Sequence, residues 1–430
     1  MGITAQLIAF ARSEPDAEAL EMMRLSLFDW AVCGCTGAGE AEFAGLRGAA
    51  LNAGSEATLF GGGLRAAPTA ALINGALSHA LDFDDTHFDH IGHPSVAIVP
   101  AALALAEREQ RDFQQFLVAC LIGVEASIHV GLWLGRGHYQ IGFHQTATAG
   151  AFGATLACAR LLDLTAEQTA HALGLCASQA SGLKAQFGTA GKPLNAGLAA
   201  RSGVESALWA QAGLTGATEG MDAFCATHHG AGETAYLDRL GQAPWRILRI
   251  SHKYHACCHG LHAMLEALRE MTVPPGEVER LTIRTHPRWM SVCNQQEPTT
   301  GLAAKFSYRQ AAAMALSGYE TGQPGSFTNA VANDPALRQL RGRVEVVPDD
   351  GLTETEAMVT LRMSNGAQGE GHHDLAAPLP RELRHSKLLR KAADLLGSQR
   401  AKTLWAAVSE DDLTALRQEM QMSEPAEQQP

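Results

Sequence analysis

The spacing of apolar residues changes once along the chain. Up to about Gly241, apolar positions recur at helical intervals among many alanines and glycines, as in the stripe Leu20, Met23, Leu27 and Trp30. This spacing predicts tightly packed amphipathic helices, each with one face in the core. Helices are predicted over residues 69–81, from Pro94 to Arg108, and over 149–162 and 165–177.

Alternating patterns appear after Pro244 and indicate strands. Asn365-Gly366 is a strong hairpin turn signal between the last two of them. The pattern therefore predicts an α+β domain over residues 246–375, with helical sequence returning from about residue 384. The predicted strands are 277–285, 343–347, 356–363 and 367–372, with a helix over 308–316.

Length and charge restrict the possibilities. At 430 residues the chain is longer than one compact core needs, so two domains are expected. A net charge of −12 argues against nucleic acid and against an anionic membrane surface. The nine cysteines form no CxxC pair, which favours a reducing compartment. The longest apolar run, 96–106, is too short to span a bilayer, so a cytoplasmic protein is expected.

The most informative stretch is 82–95, in which carboxylates and imidazoles crowd together without a lysine or arginine. Asp82 and Thr86 are four residues apart, the spacing of one helical turn. His93 precedes Pro94 at a predicted helix start, where the helix dipole disfavours imidazolium and leaves a neutral ring for acid–base work. A metal site and a structural acidic turn remain open. The candidate metal ligands are Asp84, Asp85, His87, Asp89, His90 and His93.

Two further segments carry isolated candidates. His144 stands in a polar cluster before a Gly/Ala-rich helix and suits anion binding, proton transfer or simple capping. Lys192 lies in a glycine-rich segment, 188–197, that fails the phosphate-loop test because Pro193 follows the lysine. Lys192 is interpreted as a point charge for a carboxylate, with a solvated loop lysine as the alternative.

The segment 252–262 contains four histidines and two cysteines. Its spacing does not match a zinc site, because no CxxC pair is present. Cys257 and Cys258 lack the sequence context of a cysteine nucleophile. Lys253 and His259 are interpreted as a cation with an acid–base partner.

These four segments, in this order, resemble the MmgE/PrpD family. The matching motifs are Asp82-Phe83-Asp84-Asp85-Thr86 with His93-Pro94-Ser95, then Gly142-Phe143-His144, the loop with Lys192, and 253–262. The family includes 2-methylcitrate dehydratase, cis-aconitate decarboxylase and iminodisuccinate epimerase. The resemblance covers nearly the whole chain.

The resemblance implies a mainly α fold: a large all-helical domain from residues 1–245 and 376–430, with 246–375 inserted as an α+β lid. It also implies a homodimer without metal or organic cofactor, acting on a small polycarboxylate. Dehydration, decarboxylation and epimerisation all remain open. Asp84 replaces the Asn of methylcitrate dehydratases, which favours the decarboxylases and epimerases. The implied site residues are Asp82, Thr86, His93, His144, Lys192 and Lys253, with His259 or Cys257 at one further position.

In such a site the two lysines would neutralise substrate carboxylates while His93 or His259 moves a proton beside a carbanion. Two other classes of function stay open from the sequence alone. One is a metal-dependent hydrolase built on the 82–93 cluster. The other is a binding protein that keeps the fold without catalysis.

Overall fold

A computed structural model describes residues 2–48, 54–272 and 277–422. The chain forms two compact units. Unit 1 comprises Met1–His252 with Leu388–Pro430, and unit 2 comprises Lys253–Lys387. The sequence pattern placed these boundaries after residues 245 and 375.

The first part of unit 1 is almost entirely helical, as the amphipathic spacing predicted. Its helices are α1 (Ile3–Ala11), α2 (Ala17–Gly37), α3 (Ala44–Gly48), α4 (Ala67–Ser78), α5 (Ser95–Arg108), α6 (Phe113–Ile141, interrupted at Gly135), α7 (Gln145–Leu161), α8 (Ala166–Ala177), α9 (Gly191–Gln211) and α10 (Gly220–Thr227).

Unit 2 has the predicted α+β composition. Its sheet contains, in spatial order, β4 (Val344–Pro348), β3 (Val278–Thr285), β5 (Glu356–Met363) and β6 (Gln368–Asp374). Strand β3 is parallel to β4 and antiparallel to β5. The tight turn before β6 contains Gly366 at φ +84°, as its sequence predicted. The elements are α11 (His262–Glu270), β3 (Val278–Thr285), α12 (Gly301–Ala304), α13 (Tyr308–Leu316), α14 (Asn329–Ala332), α15 (Pro335–Arg341), β4 (Val344–Pro348), β5 (Glu356–Met363) and β6 (Gln368–Asp374).

The last helices are α16 (Arg381–Leu396), α17 (Ser398–Ser409) and α18 (Leu413–Gln421). Asp412 caps α18 by accepting a hydrogen bond from the Ala415 amide. The predicted mainly α fold with a smaller α+β part is therefore confirmed.

Three local expectations were wrong. Unit 1 also contains a small antiparallel pair, β1 (Ala57–Thr58) with β2 (Leu64–Arg65), too short for periodicity to reveal. The helix before Asp82 ends at Ser78, and Asp82 has φ +51°, so residues 82–86 are not a helical turn. Lys192 belongs to the first turn of α9 instead of a loop.

Helix α6 is long and apolar enough by length and composition to cross a membrane. Its most apolar 18-residue window is, however, 89% buried inside the protein, as expected of a core helix. Glu125 and His129 interrupt its apolar sequence near the middle of the helix. Both are buried, and the Glu125 carboxylate accepts hydrogen bonds from the Arg246 and Ile247 amides.

Glycines set the distance between the helices that carry the polar cluster. A β-carbon on Gly75 of α4 would lie 2.8 Å from the Gly197 α-carbon of α9. One on Gly197 would lie 2.1 Å from the Leu72 carbonyl oxygen. Neither leaves room for a methyl group, so the two backbones touch at this crossing. This close approach places Lys192, at the start of α9, beside the chain that follows α4.

We expect Gly197→Ala to destabilise the protein by roughly 1–3 kcal/mol, because the new methyl group collides with backbone that cannot rotate away. Urea unfolding followed by circular dichroism measures the change. Gly45→Ala is the matched control, since its β-carbon meets nothing within 4 Å. Equal stability of the two variants would contradict the proposed backbone contact.

Candidate functional site

Asp84 is the buried centre of the polar cluster in unit 1. It lies on the irregular segment between α4 and α5 and has no exposed surface. Its Oδ1 accepts a hydrogen bond from His79 Nδ1 at 2.8 Å, and its Oδ2 lies 2.8 Å from His93 Nδ1. Burial raises the pKa of this carboxyl, but the two histidines more than offset burial and hold the pKa below its usual range. Asp84 is therefore an anion that orients two imidazoles.

His79 is the partner that the sequence analysis missed. It is fully buried, and its ring lies 4.4 Å from that of His93. Burial lowers the His79 pKa to about 4, despite the opposing effect of Asp84. The ring is thus neutral at physiological pH, with its proton on Nδ1 toward Asp84.

Asp82, His93 and Lys192 form the accessible edge of the cluster. Lys192 Nζ donates to Asp82 Oδ1 at 2.6 Å, and His93 Nε2 lies 3.3 Å from the same oxygen. The side chains of Asp82, Lys192 and His93 are 34%, 14% and 12% exposed, in contrast to Asp84. A histidine held at Nδ1 and facing outward at Nε2 is suited to proton transfer.

His144 lies at the edge of the same cluster, just before α7. Its ring stacks on that of His79 at 6.2 Å, and its Nδ1 is 3.3 Å from Asn195 Nδ2. An amide donor at Nδ1 leaves the proton on Nε2. Burial, followed by the charge of Lys192, lowers the pKa of His144 well below its usual value. His144 is therefore a neutral hydrogen-bonding group.

Thr86 makes a different set of contacts. It pairs with Ser251 through two backbone hydrogen bonds of 2.9 and 2.8 Å, and its hydroxyl donates to the Ser251 carbonyl at 3.3 Å. These contacts tie the end of the acidic motif to the last residues of unit 1.

Among the remaining polar residues of the 82–95 stretch, Asp85, His87 and Asp89 have structural contacts, whereas neither ring nitrogen of the buried His90 has a hydrogen-bond partner among the described residues. Asp85 accepts hydrogen bonds from the Ser95 hydroxyl and amide, and so holds the start of α5. Burial raises the Asp85 pKa to about 7 and lowers the pKa of both His87 and His90 to about 3. Asp89 forms ion pairs with Arg246 and Arg249.

A buried lysine anchors the acidic motif from a distant part of the chain. Lys391 of α16 donates to Asp29 Oδ1 and to the Phe83 carbonyl, both at 2.6 Å. Burial lowers the Lys391 pKa, but the neighbouring negative groups, Asp29 foremost, together raise it overall. Because Phe83 lies between Asp82 and Asp84, this contact fixes the backbone that carries both carboxylates.

Lys253, Cys257 and His259 lie in unit 2, and all three are buried. His259 begins a short 3₁₀ helix, and its ring lies 4.5 Å from that of His262. His255 Nδ1 and Thr321 Oγ1 share a hydrogen bond of 2.7 Å, and His255 Nε2 lies 3.3 Å from Glu266 Oε1. The sulfur atoms of Cys258 and Cys293 are 3.1 Å apart. The segment is therefore a packed polar cluster of its own.

The structure thus brings together Asp82, His93, His144 and Lys192 in unit 1. It adds three residues that the sequence analysis did not single out, His79, Asn195 and Lys391. His79 sits in a helical apolar pattern where one histidine gives no signal, and Lys391 is 362 positions from Asp29.

A metal ion has one possible donor set within the described residues. One donor atom from each of His79, Asp82, Asp84 and His93 falls within 4.8 Å of the others. Only Asp84 and His93 of this set overlap with the six ligands considered from the sequence. Lys192 Nζ lies 2.6 Å from Asp82 Oδ1, and this ammonium repels a second cation at the same carboxylate.

Comparison with known proteins identifies two matching family models. The MmgE/PrpD N-terminal domain matches residues 4–232, and the MmgE/PrpD C-terminal domain matches residues 255–413.

Curated relatives cover different shares of the chain. A cis-aconitate decarboxylase-like protein of Aspergillus oryzae, named oryM, is 29% identical over 47% of this chain and 46% of its own length. Human cis-aconitate decarboxylase is 26% identical over 79% of this chain and 76% of its own. The Aspergillus terreus cis-aconitate decarboxylase is 28% identical over 47% and 45%. The chain thus spans about half the length of the fungal relatives.

The buried neutral histidines predict a pH-dependent stability. The folded-state pKa of His90, about 3, is below the unfolded value near 6.5. The contribution of the neutral ring to the free energy of unfolding is therefore complete above pH 6.5 and is lost as the pH falls toward 3. The His90→Gln variant removes one such histidine. Its free energy of unfolding should therefore fall less steeply with decreasing pH, by up to about 1.4 kcal/mol per pH unit. Urea unfolding at pH 7, 6 and 5 measures the slope.

The control is His372→Gln, because the His372 side chain is 48% exposed. The raised pKa of Asp85 acts in the opposite direction between about pH 3.8 and 7, but it is common to all three proteins. An unchanged slope in His90→Gln would show that His90 is protonated in the folded protein.

Proposed function

Because the chain belongs to the MmgE/PrpD family, we propose that it is a cofactor-independent lyase acting on a small di- or tricarboxylate. Decarboxylation of cis-aconitate or a close analogue is the leading reaction, since the curated relatives described above carry that name. Dehydration of a 2-methylcitrate-like substrate and epimerisation of an iminodisuccinate-like substrate are the alternatives within the family.

The observation that carries the proposal is the geometry around Asp82. A lysine and a histidine meet at one carboxylate oxygen, at 2.6 and 3.3 Å, on the accessible edge of a buried polar cluster. A cation beside a proton-transfer group is what α-carbon chemistry on a carboxylate requires. The lysine attracts the substrate carboxylate, and the histidine acts on the neighbouring carbon.

Decarboxylation requires these groups to stabilise a carbanion and to supply one proton. Loss of CO₂ leaves the electron pair of the broken C–C bond as a carbanion conjugated with the remaining carboxylates. One proton then ends the reaction at carbon. We assign the delivery of that proton to Nε2 of His93 in its imidazolium form, which becomes a neutral imidazole, and charge stabilisation to Lys192. Asp84 orients the His93 ring, and His144 supplies a neutral hydrogen bond.

The roles of Thr86, Lys253, Cys257 and His259 remain predictions from the resemblance. The burial of Lys253 supports a specific role, since a lysine is rarely 1% exposed without one. A homodimer in the cytoplasm is likewise part of the proposal. Light scattering and cell fractionation test these two points.

Chelator-treated protein should convert at least one of cis-aconitate, 2-methylcitrate and iminodisuccinate, with cis-aconitate expected to react fastest. Product analysis by ¹H NMR distinguishes loss of CO₂, loss of water and inversion. Lys192→Met should raise KM strongly because the substrate carboxylate loses its cation, whereas the exposed Lys402→Met should leave KM unchanged.

Inactivity on all three substrates would overturn the proposed substrate class. Activity that disappears with chelator and returns with zinc or manganese would favour the metal-dependent alternative. A folded, inactive protein that binds polycarboxylates would identify a binding protein.

His93→Gln should lower kcat by roughly 10²–10⁴-fold, the usual contribution of a general acid or base. Asp84→Asn should give a smaller loss in kcat with little change in KM, because the ring remains but loses its orienting anion. It should also move the pH profile of kcat to lower pH, since a negative charge 2.8 Å from His93 Nδ1 is removed. Steady-state kinetics between pH 5 and 9 measure both effects.

The exposed His372→Gln variant serves as the control. A lower kcat for Asp84→Asn with an unmoved pH profile would mean that Asp84 only maintains the fold.

A further inference from the structure

Unit 2 contains a cavity with an unusual excess of arginine. Its volume is about 920 Å³, and it opens beside the first residues of β3 and β4. Its lining includes six arginines but only three carboxylates, Glu279, Glu297 and Glu345, in a protein of net charge −12. The arginines are Arg280, Arg309, Arg338, Arg341, Arg343 and Arg362.

Half of these arginines are neutralised. Arg280 pairs with Glu345, and Arg362 pairs with Glu279, each at 2.5 Å. Arg343 pairs with Glu277 at 2.7 Å. These three pairs follow the strands and account for cross-strand charge balance.

The hydrogen-bond partners of the other three are all neutral among the described residues, and Glu297 acts on Arg341 only through its charge at longer range. Arg309 donates to Asn294 and to the Val344 carbonyl. Arg338 donates from Nη2 to the Asn333 side chain. Glu297 lines the same cavity without an ion pair to them within 4 Å.

Arg341 is the most constrained of the three. It is only 7% exposed, and it donates to the Pro298 carbonyl, Gln310 Oε1 and the Ala332 carbonyl. All three contacts use Nη1, so the Nε and Nη2 edge of the guanidinium has no acceptor among the described residues. That edge is the fork that binds an oxyanion through two parallel hydrogen bonds.

The positive charge at this cavity is not fully neutralised within the protein. Burial lowers the pKa of Arg341, and the neighbouring charge of Arg338 lowers it further. Arg338 and Arg341 both lie in the last turn of α15, where the helix dipole accounts for part of their placement. The dipole does not neutralise the fork of Arg341, nor the Arg309 guanidinium contributed by α13.

We propose that this cavity binds a small polyanion bearing phosphate or carboxylate groups, held by Arg309, Arg338 and Arg341. The volume falls in the range of small-molecule sites, about 300–1,000 Å³, and is too small for a macromolecule. Arginine forks suit both oxyanions, and the overall charge of −12 argues against a nucleic acid strand as the natural ligand. This site is independent of the function proposed for the Lys192 cluster.

Isothermal titration with inorganic tripolyphosphate and, separately, citrate tests the proposal on the full chain. At least one probe should bind with one site per chain, and Arg338→Glu should weaken binding at least tenfold. Arg338 is exposed and bonds only to Asn333, so the fold should tolerate this change. Arg381→Glu, an exposed arginine of the same unit outside the cavity, is the control and should bind as the wild type does.

Citrate is also titrated into Lys192→Met, which removes the cation of the other cluster. Binding that survives Lys192→Met and is lost in Arg338→Glu supports the site, and the better probe identifies the phosphate or carboxylate class. No binding of either probe overturns the proposal. Equal weakening by Arg338→Glu and Arg381→Glu also overturns it, because general charge would then explain the affinity.

Discussion

The buried carboxylate of Asp84 is the constraint on which the candidate site depends. An anion without solvent contact is tolerated only where donors surround it, and here His79 and His93 take that place. The histidines must therefore stand on either side of one residue, at the end of α4 and just before α5. This requirement fixes the path of the chain between the two helices. It also fixes which nitrogen of His93 faces outward.

The rest of unit 1 keeps that path in place. Lys391 holds the Phe83 carbonyl and Asp29 together, so the backbone between Asp82 and Asp84 is anchored to the core. The contact of Gly75 with Gly197 brings α9 close enough for Lys192 to reach Asp82. The cluster thus depends on one buried cation, one buried anion and one backbone contact. The buried cation and the backbone contact each join chain segments that are far apart in sequence.

That separation explains what the sequence revealed and what it concealed. Helical spacing predicted α5, α7 and α8 to within a few residues, and alternation predicted the four strands of unit 2, because both patterns are local. Asp82, His93 and Lys192 were found because their chemistry is unusual within a short window. His79 was not, since it is one polar residue at the end of an apolar helical pattern, and Lys391 was not, since it is one of several charged residues in α16. Arg309, Arg338 and Arg341 are separated in the sequence, and only the fold places them at one cavity.

Burial also separates the structural residues of the acidic motif from the residues that can react. The stretch from Asp82 to His93 contains four carboxylates and three imidazoles, and composition alone does not distinguish them. In the fold, Asp85, His87 and His90 are buried, and their pKa shifts favour the neutral forms that suit structural contacts. Asp82 and His93 keep some exposure beside Lys192. Of these two sets, only Asp82 and His93 can exchange a proton with a ligand or with solvent. The cluster therefore has a rigid interior and a reactive edge. The acidic motif therefore needs both kinds of residue: the buried ones hold the geometry that the exposed ones use.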